Sequence, residues 1–187
     1  MISILDHNTA YTSASLETDR LFLAVPTLDD FDEMHAMWSD ANVVGPIIGR
    51  PLTEEEVWAR LHRIVGHWAL MWFGPWIVRE KHGGKFSGEL GFFKFKRKLG
   101  PEFDDAHEIG WMFTPDSQGK GYATEAAKAG LSWLDRDGQC RDTVCLIPPE
   151  NVASLALANK LSYAITNEIT YRGKAMLLLR RGARQSR

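Results

Sequence analysis

The run from Glu108 to Glu125, E-I-G-W-M-F-T-P-D-S-Q-G-K-G-Y-A-T-E, constrains this chain more than any other. An apolar strand passes through a short turn into Gln118-Gly119-Lys120-Gly121-Tyr122-Ala123, and a helix of small residues follows. Gly119 and Gly121 admit backbone angles that a side chain forbids, and they let the main chain come close to a ligand. Several free N–H groups and the positive end of a helix therefore meet at one point, which can hold a pyrophosphate without a metal. A plain strand-to-helix turn uses the same glycine pair, so the glycines alone leave both readings open. Along the helix, Tyr122 to Leu134, the residues Ala123, Ala126, Ala127 and Gly130, with Leu131 or Leu134, share one face. Side chains this small let a helix lie close against a sheet.

Other phosphate loops do not fit. A P-loop requires G-x-x-x-x-G-K-[ST], but Lys120 is followed by Gly121. A dinucleotide fingerprint requires a third glycine where Thr124 stands, and it opens the first βαβ unit of its domain rather than coming late in the chain.

Around this turn the elements read β-α-α-β-β-β-α-β-α-β-β. Leu21 to Val25 is a buried strand ended by Pro26, and Thr27 caps a helix carrying Leu28, Phe31, Met34, Met37 and Trp38. Val43 to Pro51 reads as a loop. Thr53-Glu54-Glu55-Glu56 is a capping box that opens a helix with the stripe Val57, Leu61, Ile64, Val65 and Trp68. Trp76 to Val78 begins a strand, His82 to Lys85 turns it, and Gly88 to Phe93 returns. Glu108 to Thr114 and Thr143 to Ile147 are further strands, Asn151 opens a helix, and Ile165 to Tyr171 pairs with Ala175 to Leu179 across Arg172-Gly173. No repeat or composition shift marks a second domain. The expectation is a loose segment over 1–15, one domain over 16–181 and a tail over 182–187. A mixed sheet with helices on both faces is the natural packing.

Composition narrows the function. A net charge of −2 offers no case for nucleic acid or an anionic membrane as a partner. The local run Lys94, Lys96, Arg97 and Lys98 reads as a solvated strand end or turn. Cys140 and Cys145 are the only cysteines, a poor zinc site that fits a reducing compartment. The start M-I-S-I-L-D-H-N has neither a signal peptide nor a membrane span, so the cytoplasm is the default.

Gln118, Gly121 and Ala123 fill the pattern Q/R-x-x-G-x-G/A. This resembles the acetyl-CoA-binding signature of the GNAT superfamily of N-acetyltransferases. The segments E-T-D-R-L-F-L, E-I-G-W, G-K-G-Y-A-T-E-A and P-E-N-V-A-S-L-A-L-A-N-K-L-S-Y occur in the corresponding order. They look like the branch containing ribosomal-protein N-terminal (alanine or serine) acetyltransferases, over about Leu16 to Arg180. The resemblance implies an α/β (α+β) GNAT fold. Its central, mixed, mostly antiparallel twisted sheet would be splayed between strands 4 and 5, Glu108 to Thr114 and Thr143 to Ile147, with helices on both faces.

The resemblance also implies roles. The strand backbone at Trp111, Met112 and Phe113 would pair with pantetheine amides. Gln118 to Thr124 (Gly119, Lys120, Gly121, Tyr122 and Ala123 between them) would hold the pyrophosphate through N–H groups, with Lys120 adding charge. Asn151 matches an asparagine that bonds the pantetheine arm, and it is equally a helix N-cap. Ser154 matches a serine proposed to protonate the departing thiolate; the tyrosine that many members use for this stands here as Ala158. Tyr163 reads as core. Superfamily members often carry a catalytic glutamate where Glu108 stands.

The chemistry needs a neutral amine. A lysine amine with pKa about 10.4 is less than about one part in a thousand neutral at neutral pH, whereas an α-amine near 8 is about a tenth neutral. A positioned base removes the remaining proton, and Glu108 is the candidate; a strand-edge ion pair is its structural alternative. His107 is a second possible base by type, though a solvent-facing histidine is the simpler reading. Asp104 and Asp105 read as turn residues. Trp38, Trp58, Trp68, Trp72 and Trp76 crowd the half of the chain where the family builds its acceptor groove, and Trp58 is the candidate substrate contact. Together these imply acetyl transfer from acetyl-CoA to a primary amine in a ternary complex without metal, the amine being a protein N-terminus or a small molecule. A non-catalytic acyl-CoA-binding module and a small-molecule or antibiotic-type N-acetyltransferase are the alternatives, and a homodimer is compatible with the final hairpin.

Overall fold

The computed structural model describes residues 14–136 and 142–182. Eight strands form one sheet: β1 (Leu16–Glu17), β2 (Leu21–Ala24), β3 (Pro75–Glu80), β4 (Phe86–Phe93), β5 (His107–Phe113), β6 (Thr143–Ile147), β7 (Ala164–Tyr171) and β8 (Lys174–Arg181). Their order is β1-β2-β3-β4-β5-β6-β8-β7. Every neighbouring pair is antiparallel except β5 and β6, which run parallel. That parallel ladder is short. It contains only His107↔Thr143 and Glu108↔Val144, after which the two strands part. On their outer edges both stay paired, β5 with β4 as far as Phe113↔Gly88 and β6 with β8 as far as Ile147↔Leu177. The expected splay is thus present, and it begins at Glu108.

Helices cover both faces. Successive residues of a strand point to opposite faces, and β4 shows it clearly. On one side Leu90 and Phe92, with Trp76 of β3, meet the helix α5 (Tyr122–Asp135) at Gly130. A Cβ there would lie 3.3 Å from the Trp76 ring and 3.5 Å from Leu90. On the other side Glu89 meets α1 (Phe31–Trp38) and α3 (Glu54–Met71) through Trp38 and Arg60. The core between these layers includes the fully buried Leu21, Leu23, Met34, Leu61, Ile64, Trp76, Ile77 and Phe92. The capping box at Thr53 is formed: Glu56 N–H donates to Thr53 Oγ1 at 3.3 Å, and Thr53 N–H donates to the Glu56 carboxylate at 2.9 Å. A smaller apolar cluster of Phe103, Ala106, Val144 and Leu178 packs behind β6.

The structure adds elements to the sequence reading. Overlapping the start of the stretch read as a loop from Val43, a four-residue helix α2 (Ala41–Val44) is capped by Asp40, whose carboxylate accepts from Asn42 N–H at 2.8 Å. Another short helix, α4 (Pro101–Asp104), precedes β5, whereas the helix expected after Asn151 is present as α6 (Val152–Lys160). The opening segment was read as loose to about residue 15, but Ala14 is buried and its carbonyl accepts from Trp76 Nε1 at 2.7 Å; a buried indole N–H needs such a partner. Residues 1–13, Cys140 and most of the expected tail lie outside the described residues. Among the described residues no helix is long and apolar enough to cross a membrane.

Candidate active site

The turn before α5 presents its donors as its glycines imply. Gly119 and Gly121 have φ of +72° and +81°, the left-handed region open to glycine. Within α5 the first main-chain bond into the helix is from Glu125 N–H to Gly121 O, at 3.1 Å. Among the described residues, none of the N–H groups from Gly119 to Thr124 meets an acceptor. The turn is held from outside by Arg20, whose guanidinium donates to Lys120 O at 3.0 Å and to Glu125 at 2.7 Å, and stacks 4.8 Å from the Tyr122 ring centre. Thr18 Oγ1 and Arg20 N–H also donate to Glu125, at 2.6 and 3.0 Å. Burial pushes the Glu125 carboxyl up, but these hydrogen bonds and the Arg20 charge outweigh it and hold it below the usual carboxylate range. Gln118 braces the turn by donating to Phe113 O at 3.3 Å. The Lys120 side chain turns away to Glu80, 3.4 Å distant.

A cavity of about 450 Å³ runs from this turn along the end of β5 to α6. Trp111, Met112, Phe113, Gln118, Gly119 and Gly121 to Thr124 line it, with Asn151, Ser154 and the covering loop residues Val43, Pro46 and Ile47. Asn151 is the N-cap of α6, accepting from Ser154 N–H at 3.0 Å. Ser154 Oγ accepts from Trp111 Nε1 at 3.2 Å, which leaves its own O–H proton to be given elsewhere. Ala158 is fully buried, and Tyr163 is core: its hydroxyl donates to Thr143 Oγ1 at 2.6 Å, and burial pushes its pKa up.

Two further cavities continue from the first. One of about 130 Å³ lies at the splay and touches Glu108, Cys145, Asn151 and Ser154. The other, of about 430 Å³, lies on the α1–α3 side of the sheet and also touches Glu108. Ile47 and Trp111 line all three. Glu108 sits between the second and third. Its carboxylate is gripped by Arg97, with Nε to Oε2 at 2.7 Å and Nη2 to Oε1 at 2.8 Å, and Arg97 Nη1 donates to the Tyr171 hydroxyl at 2.6 Å. Burial works against the Arg97 charge, but Glu108 outweighs it and raises the Arg97 pKa.

Several sequence readings change here. Arg97, read with its lysine neighbours as a solvated turn, is folded inward because a carboxylate at the start of β5 needs a counter-charge. His107 does not face solvent; it is buried with its ring 4.7 Å from that of Phe73. Asp104, read as a turn residue, is the last residue of α4, and its carboxylate accepts from the N–H groups of Lys98 and Gly100; Asp105 does lie in a turn. Trp58 is 44% exposed on the outer side of α3, against Phe31 and His62, and is absent from the walls of all three cavities.

Sequence reasoning also missed Glu89. It is 2% exposed, accepts from Trp38 Nε1 at 2.6 Å and from Arg60 at 2.7 Å, and lines the third cavity. A charged residue in the middle of the apolar run G-E-L-G-F-F was the available signal. Arg20, Arg60, Tyr171, Arg172 and Lys174 carried none, since only the fold brings them to the site.

The acetyltransferase (GNAT) domain family matches residues 20–163. The uncharacterized N-acetyltransferase YnaD of Bacillus subtilis (strain 168) is 30% identical over 146 residues, 78% of this chain and 80% of that protein. A Bordetella pertussis structure described as a GnaT-family acetyltransferase is 34% identical with a TM-score of 0.81, covering 90% of this chain and 99% of its own. RimL, a ribosomal L7/L12 α-N-protein acetyltransferase solved with coenzyme A, shares the fold at 16% identity and a TM-score of 0.72, over 89% of this chain and 96% of its own.

Proposed function

The chain belongs to the GNAT acetyltransferase family and is an N-acetyltransferase, and we propose that it moves the acetyl group of acetyl-CoA directly to a primary amine in a ternary complex at the splay between β5 and β6. One observation carries this reading: the unmet N–H groups of Gly119 to Thr124 open on the same cavity that reaches the parted strand β5. Donors so arranged suit a pyrophosphate, so the residues present fit acetyl-CoA. The Trp111 to Phe113 backbone and Asn151 would take the pantetheine arm. Acetyl-CoA supplies the activated acyl group.

The amine enters from the third cavity and Glu108 receives its proton. Both Glu108 oxygens already accept from Arg97, so the proton passes through a water on the remaining lone pairs. The amine nitrogen bonds to the acyl carbon as the carbon–sulfur bond breaks. The Phe113 N–H, which faces away from β4, stabilises the carbonyl oxygen under attack, and the Ser154 hydroxyl passes its proton to the sulfur and is restored by the proton that the new amide nitrogen sheds. A thiolate of pKa near 8.5 leaves tolerably well alone, so Ser154 assists rather than commands. Residues 16–181 form the single catalytic domain in this reading.

The test is acetyl-CoA-dependent thiol release by the full chain over peptides, polyamines, amino acids and aminoglycosides. Turnover with a primary amine is expected. Acetyl-CoA binding with no turnover on any acceptor would favour a non-catalytic acyl-CoA-binding module.

A further inference from the structure

The wall of the third cavity carries more positive than negative charge. Among the described residues Arg60, Arg97, Arg172 and Lys174 share this wall with two carboxylates, Glu89 and Glu108, an excess of two positive charges on a chain whose net charge is −2. Each carboxylate is already matched: Glu89 by Arg60 at 2.7 Å and Glu108 by Arg97 at 2.7 Å. Among the described residues, Arg172 and Lys174 have no ion-pair partner. Both stand at the turn joining β7 to β8, and Lys174 reaches across to donate to Ile48 O at 3.3 Å. The rest of the wall is apolar and aromatic, from Phe93, Phe95, Trp111, Met112 and Met176.

We infer that the acceptor is a primary amine bearing a carboxylate on an apolar body, an amino acid in form, with the carboxylate on Arg172 and Lys174 and the amine toward Glu108. The inference rests on the acetyl-transfer reading and names its substrate class. An unpaired cationic pair beside an apolar cavity attracts an anion by charge-assisted hydrogen bonds, whereas a polycation meets only repulsion, because both carboxylates are occupied. The same field favours the neutral form of the incoming amine, since nearby like charge disfavours its protonated form. Arg63, which flanks the cluster, feels it: its pKa is lowered by burial first and then by Arg60, Arg97 and Arg172.

The experiment compares L-phenylalanine, L-phenylalaninamide, phenethylamine and spermidine in acetyl-CoA-dependent thiol release. Phenylalanine should exceed its amide and phenethylamine by about tenfold or more in kcat/KM, and spermidine should come last. In the double variant Arg172→Gln/Lys174→Gln the phenylalanine-to-phenethylamine ratio should fall about tenfold, through KM rather than kcat. Equal use of acid and amide, a preference for spermidine, or a ratio unmoved in the variant would each overturn the inference. Binding of N-acetyl-L-phenylalanine and N-acetylphenethylamine, followed by calorimetry, needs no turnover. A preference for the carboxylate that the variant loses supports the inference even if every amine is silent, and equal binding overturns it. Silence of every amine counts against the transfer reading instead.

Discussion

Glu108 and Glu89 are two buried carboxylates with opposite expected consequences. Glu108 lines two of the cavities and, among the described residues, accepts from Arg97 alone. Glu108→Gln keeps an acceptor for Arg97 and removes the base, so kcat/KM should fall about 10²-fold or more while acetyl-CoA still binds, read by thiol release and calorimetry. Glu89 is structural. Arg60→Met would strand its carboxylate, 2% exposed, without a counter-charge, and the urea midpoint should report a loss of about 3–5 kcal/mol. Arg60→Met/Glu89→Leu should recover most of it, because no buried charge is then left alone.

His67 adds a pH dependence. Its Nε2 accepts from Lys94 N–H at 3.2 Å and its Nδ1 donates to Arg63 O at 3.2 Å, which requires a neutral ring, and burial lowers its pKa. The unfolded chain then takes up a proton that the folded chain refuses. This part of the stability is complete above the ordinary histidine pKa of about 6.5 and declines as pH falls below it. The urea midpoint should therefore drop between about pH 7 and about pH 5.5, and by less in His67→Gln.

At the scale of elements, the site is a gap between β5 and β6 closed at one end by the first turn of α5. Gly121→Ala forces a side chain to φ +81°, at a cost of about 1–2 kcal/mol. Its nearest neighbour would be the guanidinium of Arg20 at 3.5 Å, an ordinary contact, so strain rather than collision decides the outcome. The KM for acetyl-CoA should rise more than kcat falls in steady-state kinetics.

The elements that frame this gap were legible because their signals are local. Thr143–Ile147 is a β-branched and apolar run, α5 follows its glycine turn, and Asn151 caps α6 within three residues. The helices α2 and α4 were not legible, because four residues make barely one turn and show no periodicity. The charges around the acceptor cavity were illegible for another reason. Arg97 meets Tyr171 across 74 positions and Arg60 meets Glu89 across 29, pairings that only the finished sheet creates. Trp58 was drawn to the site by composition, but its place on α3 turns it outward to Phe31 and His62.

At the scale of the molecule, one cavity lies against the α5 turn and another on the α1–α3 face, and Ile47 and Trp111 belong to the walls of both. In the proposed reading the cofactor occupies the first of these and the acceptor the second, with Glu108 on the acceptor side. The claim beneath everything else is that the turn and the open edge of β5 receive the cofactor. Amide-resolved NMR of the labelled full chain during titration with coenzyme A tests it most directly. The N–H signals of Gly119 to Thr124, and those of Trp111 to Phe113, should shift together and saturate at one binding constant. Saturable binding that leaves those amides unmoved while signals elsewhere shift would contradict it.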